Sequence, residues 1–367
     1  MKILFKNFGR PFFMLTFIAA GFAFSLVACT GSFAQQKFYD AAKPHYTETG
    51  FKNPPGSPER DFRPFRFINF VIKQLLVDYD QTILPKGHIL PSAEIKKQFA
   101  ATPQDARITW IGHASFLIGL NGLNILTDPQ FSERASPFSF VGPKRYQPPA
   151  MAISDLPKID IILISHNHYD SFDEASLKRL RQHSPNVRIV LPLGDGALAK
   201  EWGIENFTEL DWYDTLKVGD IEFQSTPAIH RANRGLLDVD NSLWQGITIT
   251  AKIGGKRKKI WFVGDTGFGP LFKQEVAKKI GPVDIALMPN GAFLPRNIMK
   301  AVHVSPEEAM QLAKIMGAKT VIPMHWGTFP LGEDLPKEGK ARFLAAPAFG
   351  IKKVLMRIGE TLDLSKL

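Results

Sequence analysis

The sequence predicts an α/β fold, and three observations carry that prediction. Apolar, β-branched runs at residues 159–164 and 283–289 read as short strands buried on both faces. Helix-forming stretches lie between such runs. The plainest begins at Ser305-Pro306-Glu307-Glu308, with serine as N-cap, proline at the first helical position and Glu308 closing a capping box. Thirdly, histidines and aspartates stand immediately after several apolar runs, and α/β architectures place their sites just beyond strand ends.

At 367 residues the chain has room for one large domain or two modest ones, and 44% hydrophobic with 22% charged content excludes general disorder. Lys2, Lys6 and Arg10 precede an uncharged run at residues 11–28, the pattern of a secretory signal. Its end, Leu26-Val27-Ala28-Cys29, resembles the bacterial lipobox, where cleavage leaves a lipid-bearing cysteine at the new N-terminus. Cys29 is the single cysteine, so no disulfide forms within the chain. Loss of residues 1–28 lowers the formal charge from +10 to +7, because three basic groups and no acidic one are removed. The expectation is an exported protein anchored through lipidated Cys29 to a bacterial membrane, on the periplasm-facing side of the outer membrane. There its positive charge is drawn to anionic headgroups. Nucleic acid, the usual rival partner of a basic chain, is set aside by export.

The remaining elements follow in order. Residues 30–58 read as a polar tether low in regular structure, ending in a Pro-Pro-Gly-Ser-Pro cluster. Phe62, Phe65, Phe67 and Phe70 alternate with arginines, in a stretch that reads either as a membrane-facing element or, preferably, as an arm packed across the main domain. Residues 93–100 read as a short helix. The domain proper then occupies residues 101–367, after a signal at 1–28 and a tether with arm at 29–100. Residues 107–118 are a strand, a Gly112-His113 turn and a second strand, and residues 123–127 form a third, ending at Asp128. After a loop at residues 131–149 and the run at 159–164 come a helix over 173–181 and a strand over 187–191. Residues 219–227 are extended and end near His230, while residues 246–253 alternate strictly, as a half-buried strand does. The turn at Gly254-Gly255 and the returning strand deliver Asp265. Residues 320–324 lead to His325, and no repeat at solenoid periods interrupts this order.

The chemistry centres on Ser165-His166-Asn167-His168-Tyr169-Asp170. In a nearly extended backbone, His166, His168 and Asp170 point to one side. Neutral imidazoles and a carboxylate converging at a strand end suit Zn²⁺ or a similar borderline metal. A lone His-x-His is as well explained by a polar loop. Here His230, Asp265 and His325, each following its own apolar run, decide for a metal site.

With these residues in place, the chain resembles the metallo-β-lactamase superfamily and, within it, the N-acyl-phosphatidylethanolamine-hydrolysing phospholipase D branch. The resemblance runs from about residue 109 to residue 328. It rests on Trp110-Ile111-Gly112-His113-Ala114, Thr127-Asp128-Pro129, Arg134-Ala135-Ser136-Pro137, Gly142-Pro143-Lys144-Arg145, the His166 segment, Glu209-Leu210-Asp211-Trp212, Gly264-Asp265-Thr266-Gly267, the His303–Glu308 segment and His325-Trp326-Gly327-Thr328. It implies an αβ/βα sandwich of two mixed sheets flanked by helices, with two zinc ions in the cleft between them. His166, His168 and His230 would hold the first. Asp170 and His325 would hold the second, and Asp265 would bridge both. Asp170, Asp265 and His303 are the candidate catalytic groups, His303 standing where it could contact a phosphate or relay a proton. His113 and Asp128 are expected to orient ligands.

One departure is particular to this chain. The family motif ends His-x-His-x-Asp-His, and the last histidine ligates the second metal, whereas Ser171 stands here. Serine is a poor zinc ligand, so the second site is expected to be weaker, leaving one or two ions bound. Ser171-Phe172-Asp173-Glu174 also matches a capping box, so Ser171 is expected to cap the following helix. The resemblance implies a membrane-tethered phosphodiesterase acting on N-acyl phosphatidylethanolamine or a related phospholipid. Two alternatives stand beside it: hydrolysis of a lactone or other small ester, and a lipoprotein whose turnover is attenuated by Ser171.

Overall fold

The computed structural model describes residues 40–60, 63, 65, 68–70, 72–73, 83–235 and 237–367. The signal segment, Cys29, Phe62 and Phe67 lie outside the described residues. Among the described residues no helix is long and apolar enough to cross a membrane.

A small hairpin of β1 (Tyr46–Thr47) and β2 (Gly50–Phe51) precedes the main body. One sheet then forms from β3 (Ala106–Gly112), β4 (Ser115–Leu120), β5 (Leu123–Thr127), β6 (Ile161–Leu163), β7 (Arg188–Pro192) and β8 (Phe207–Leu210). The second contains β9 (Thr215–Val218), β10 (Ile221–Pro227), β11 (Gln245–Ile253), β12 (Lys256–Phe262), β13 (Ile285–Pro289), β14 (Thr320–Met324) and β15 (Lys352–Lys353). The last strand, β16 (Thr361–Asp363), returns to the first sheet beside β3. Both sheets are mixed. Antiparallel pairing gives way to parallel at β5–β6 in the first and at β12–β13 in the second.

Side-chain alternation builds the layers. On β6, Ile161 and Leu163 enter the core between the sheets, where they meet Trp110, Phe116, Ile247 and Phe262. Ile162 and Ile164 face the other way, into an outer layer with Leu177 and Leu180 of the Glu174–His183 helix. That explains why this run has no polar alternation: both its faces are buried. The Pro306–Ile315 helix covers the second sheet through Ala309, Leu312 and Ala313, packed with Trp261 and Ala286. Helix, sheet, sheet, helix is the expected αβ/βα sandwich. Its capping box is present as read: Ser305 Oγ accepts from Glu308 N, and Glu308 Oε2 accepts from Ser305 N at 2.8 Å.

Two local expectations are corrected. Ser171 does not cap the following helix. Asp173 is the N-cap, its side chain accepting from Ser176 N at 3.0 Å. Ser171 N instead donates to His168 O in the turn that carries the ligands, one turn too early to cap. The polar stretch before residue 58 also has more structure than its composition implies. Asp211 gathers Lys43, His45 and Tyr46, and His45 stacks on Trp212 at 4.2 Å. The buried polar groups are satisfied by one distant carboxylate, which a local reading does not see. Of the arm's described residues, Phe70 rests against Ala292, Ile298 and Met299, while Phe65 and Ile68 are exposed.

Candidate metal centre

Every predicted ligand lies in loops beyond strand ends, on one rim of the sandwich. His166, His168 and Asp170 follow β6, His230 follows β10, Asp265 follows β12 and His325 follows β14. His113 comes from the β3–β4 turn, Asp128 follows β5, and His303 precedes the Pro306–Ile315 helix. Three of these are non-glycine residues in the left-handed region: His113 at φ 55°, Asp128 at 29° and His325 at 62°. Such strain persists where the surroundings over-determine it, and it gathers at functional sites.

Ligand atoms of His166, His168 and His230 lie within 4.8 Å of one another. His168 Nδ1 is 3.0 Å from His166 Nε2 and 3.2 Å from His230 Nε2. Tetrahedral zinc with bonds of 2.0–2.1 Å would space its nitrogens by about 3.3 Å. The partners of the opposite ring nitrogens fix the tautomers. Val302 O can only accept, so His230 Nδ1–H donates to it at 2.8 Å. Asn233 Oδ1 accepts from His168 Nε2–H at 3.2 Å. Ser165 Oγ donates to Asp128 Oδ2 at 2.5 Å and therefore accepts from His166 Nδ1–H at 2.8 Å. Each imidazole is left with a lone pair facing the same point, the arrangement a metal-binding histidine needs. Asp128 orients a ligand as expected, acting through Ser165.

Asp170, His113 and His325 form a second cluster, and Asp265, His303 and His325 a third. His325 Nε2 lies 3.1 Å from Asp170 Oδ2 and 3.0 Å from Asp265 Oδ2. Asp265 Oδ2 is also 3.8 Å from His166 Nε2, so it stands between the clusters, where a bridging carboxylate belongs. Asp265 Oδ1 and the Nδ1 atoms of His113, His303 and His325 are buried with no hydrogen-bond partner among the described residues. Buried polar atoms left so are uncommon, and nitrogen and carboxylate donors without partners fit borderline metals.

Charge agrees with this fit. Burial pushes His166 down to about 3, with the His168 imidazole adding to it, and pushes His113 and His303 down to about 4. Burial and the neighbouring imidazoles hold His230 well below its ordinary range. These four are neutral at pH 7, as ligands must be. Burial opposes charge on His325 too, but the Asp265 and Asp170 carboxylates prevail and hold it protonated well above its usual value. Burial likewise opposes both aspartates. Hydrogen bonds from His113 and His325 overcome it at Asp170, and the charge and hydrogen bond of His325 overcome it at Asp265. A proton on His325 thus holds the two carboxylates together, and His325 would have to give it up to ligate a metal.

Ser171 is buried, and its hydroxyl has no hydrogen-bond partner among the described residues. Sequence reasoning missed three supports. Asn53 exchanges hydrogen bonds with the His230 backbone, at 2.8 and 3.0 Å. Asn233 orients His168. Arg234 donates to Asn167 O at 2.9 Å and Phe172 O at 2.8 Å while its guanidinium lies 4.0 Å over the Tyr169 ring, clamping the His166–Asp170 turn from behind. Only the closeness of Asn233 and Arg234 to His230 in sequence could have signalled them. Other quoted motif residues are structural. Glu209 Oε1 accepts from Gly194 N and Gly196 N, and Arg134 and Arg145 donate to backbone carbonyls of their own loop.

Alternation sends Asn167 and Tyr169 away from the ligands, into the wall of a cavity of about 680 Å³ that Phe138, Leu198 and Trp202 also line. Asp195 in this wall is buried, and burial pushes it up to about 7 against the opposing hydrogen bonds from Ser242 and Asn167. With an unfolded value of 3.8, the native state holds the extra proton between about pH 4 and pH 7. Stability is therefore lost as pH rises through that window, by at most about 4 kcal/mol for the full shift. Asp195→Asn keeps the hydrogen-bonding shape without the charge. It should melt above the wild type at pH 8, by a margin that is clearly smaller at pH 5, in melts of metal-loaded protein. Parallel curves at both pH values would remove Asp195 as the source.

Residues 123–326 match the family model of the beta-lactamase superfamily domain. The chain belongs to the metallo-β-lactamase superfamily. It is 40% identical over 233 residues to the N-acyl-phosphatidylethanolamine-hydrolyzing phospholipase D 1 of Caenorhabditis elegans, covering 61% of this chain and 64% of that one. A Saccharomyces cerevisiae mitochondrial protein of the same name is 34% identical over 63% of this chain and 50% of its own. The chain thus spans less than two thirds of these relatives' length. A metal-dependent hydrolase of Pyrobaculum islandicum is 29% identical over 70% of this chain and 99% of its own. Among solved structures, an isothiocyanate hydrolase from Delia radicum gut bacteria superposes with a TM-score of 0.55 at 20% identity, covering 70% of this chain and 98% of that one, a likeness of fold. Within that superfamily fold the chain groups His and Asp side chains, among the described residues, in three clusters that could hold a metal ion.

Proposed function

We propose that the protein is a zinc-dependent phosphodiesterase of the phospholipase D type, acting on N-acyl phosphatidylethanolamine or a related phospholipid. The observation that carries this reading is the 40% identity over 233 residues to a relative named for that activity, in a chain whose histidines and aspartates cluster as metal ligands would. One surface feature supports it. Phe140, paired with Phe138 at 5.6 Å, is 78% exposed, an aromatic ring free to enter a lipid surface.

His166, His168 and His230 would hold one zinc, and Asp170 and His325 the other, with Asp265 shared. Bound zinc supplies Lewis acidity, which lowers the pKa of water and offsets the charge that builds on phosphoryl oxygens. The chain's own groups do the rest. Asp128 and Ser165 hold His166 in its binding tautomer. Neutral His303, its Nδ1 unpartnered, is placed to donate to a phosphoryl oxygen or to take a proton there. The Arg234 clamp keeps the turn of His166 and His168 in register with His230.

The test offers the zinc-loaded protein N-acyl phosphatidylethanolamine in mixed micelles, with a lactone and a simple ester alongside. Release of phosphatidic acid, abolished by chelation, is the expected result. Rapid cleavage of the lactone with the phospholipid untouched would replace this reading with small-ester hydrolysis. Anchoring through lipidated Cys29 at the periplasm-facing outer membrane belongs to the same proposal, motivated by Leu26-Val27-Ala28-Cys29. The mass of the N-terminal peptide from membrane-extracted protein should carry acyl chains, and an unmodified thiol there would end it.

A further inference from the structure

We infer that His113 takes the ligand place that Ser171 vacates, so that the second metal is held by His113 together with Asp170, Asp265 and His325. The inference rests on the metal-dependent reading of the site, but not on the identity of its substrate.

Ser171 is at hand without being able to serve. It is buried, it does not cap the helix, and a neutral hydroxyl is a weak donor for a borderline ion. His113 is in position. Its Nε2 lies 2.9 Å from Asp170 Oδ2, the same oxygen that His325 Nε2 approaches at 3.1 Å. The His113 and His325 rings stand 4.0 Å apart, and the ligand atoms of the three residues fall within 4.8 Å of one another. Those spacings are close to the roughly 3.3 Å edge of a tetrahedral zinc site. The group supplies two imidazoles and one carboxylate, which is the type of donor set the histidine at position 171 would have completed.

The backbone of His113 is built into the His325 loop. His113 N donates to Thr328 Oγ1 at 2.9 Å. His113 O accepts from Trp110 Nε1 at 2.9 Å and from His325 N at 3.1 Å. These contacts hold a β-carbon-bearing residue at φ 55°, a conformation that would otherwise relax. They fix the His113 side chain relative to His325. In one respect the two are alike, since the Nδ1 atoms of both are buried without a protein partner. The competing role is positioning: His113 could simply donate to Asp170. His303 is the other rival, through its cluster with Asp265 and His325, though its ring is 5.2 Å from His325.

Metal binding itself separates these roles, with no substrate present. Full-length protein is stripped with chelator and reloaded with zinc for stoichiometry, and with cobalt(II) for its visible ligand-field spectrum. The wild type should take up two equivalents. His113→Ala should lose the second equivalent, or weaken it by more than the 10–100-fold typical of an outer partner, and keep the first. His113→Gln can still donate to Asp170 but ligates poorly, so it should fail in the same way. Ser171→His in the His113→Ala background should restore the second equivalent and its cobalt spectrum, a rescue that a merely misfolded variant would not show. The inference is overturned by a wild type that binds a single equivalent, by a His113→Gln protein with two undiminished sites, or by failure of the Ser171→His rescue. Loss of the second equivalent in His303→Ala with retention in His113→Ala would also overturn it. Absence of phospholipid cleavage would defeat the proposed substrate and leave this result standing.

Discussion

Asp265→Ala should strip the protein of most of its metal and hydrolysis while leaving the fold in place. Its Oδ2 lies 3.0 Å from His325 Nε2 and 3.8 Å from His166 Nε2, so one oxygen serves both ion positions. Removing it takes a negative charge from each and frees one of the two carboxylates that hold His325. Groups that act as a unit lose function together when one is removed. The loss of rate should exceed the 10–100-fold seen when only an outer partner of a ligand is changed. Metal content after gel filtration from excess zinc, with initial rates on the same samples, measures both. His183→Ala is the control, because His183 ends its helix with its ring at the Pro157 carbonyl, apart from the ligand clusters. Full metal content and rate in Asp265→Ala would show that the ions are held elsewhere.

Gly291→Ala should be the most damaging single methyl in the molecule's site region. A Cβ at Gly291 would lie 1.8 Å from His325 O, 2.8 Å from His325 C and 3.2 Å from Trp326 Cα. All three are main-chain atoms, so no side-chain rotation relieves the collision. Either the end of β13 or the His325 loop must move. Overpacking of a close-packed interior typically costs about 1–3 kcal/mol, and a clash against backbone belongs at the top of that range. His325 belongs to two of the three ligand clusters, so the displacement also reaches the metals. The expected outcome is a melting temperature several degrees lower, together with a reduced gain on adding zinc, since a weaker site stabilises less by mass action. Equal melting with and without zinc in variant and wild type would mean that the loop absorbs the methyl freely.

Which segments carry the chemistry was determined by the sequence alone. Local rules sufficed, because a buried strand is a short apolar run and its exit loop is where polar ligands can stand. His166, His168, His230, Asp265 and His325 could each be named from the residues just before it. The capping box at Ser305 was legible for the same reason, since both of its hydrogen bonds span three residues. The Ser171 box was misread because two candidate caps, Ser171 and Asp173, stand two residues apart. Only the path of the chain out of the ligand turn selects Asp173.

Tertiary structure alone decided that His113 joins the second ligand cluster. His113 meets Asp170 across 57 residues of chain, and His325 meets it across 155. Asn53 reaches His230 across 177 residues, and Asp211 binds His45 across 166. Sequence periodicity reports which face of its own element a side chain occupies. It carries no information on which loop of another sheet will lie opposite, because that depends on strand order and on how the two sheets pack.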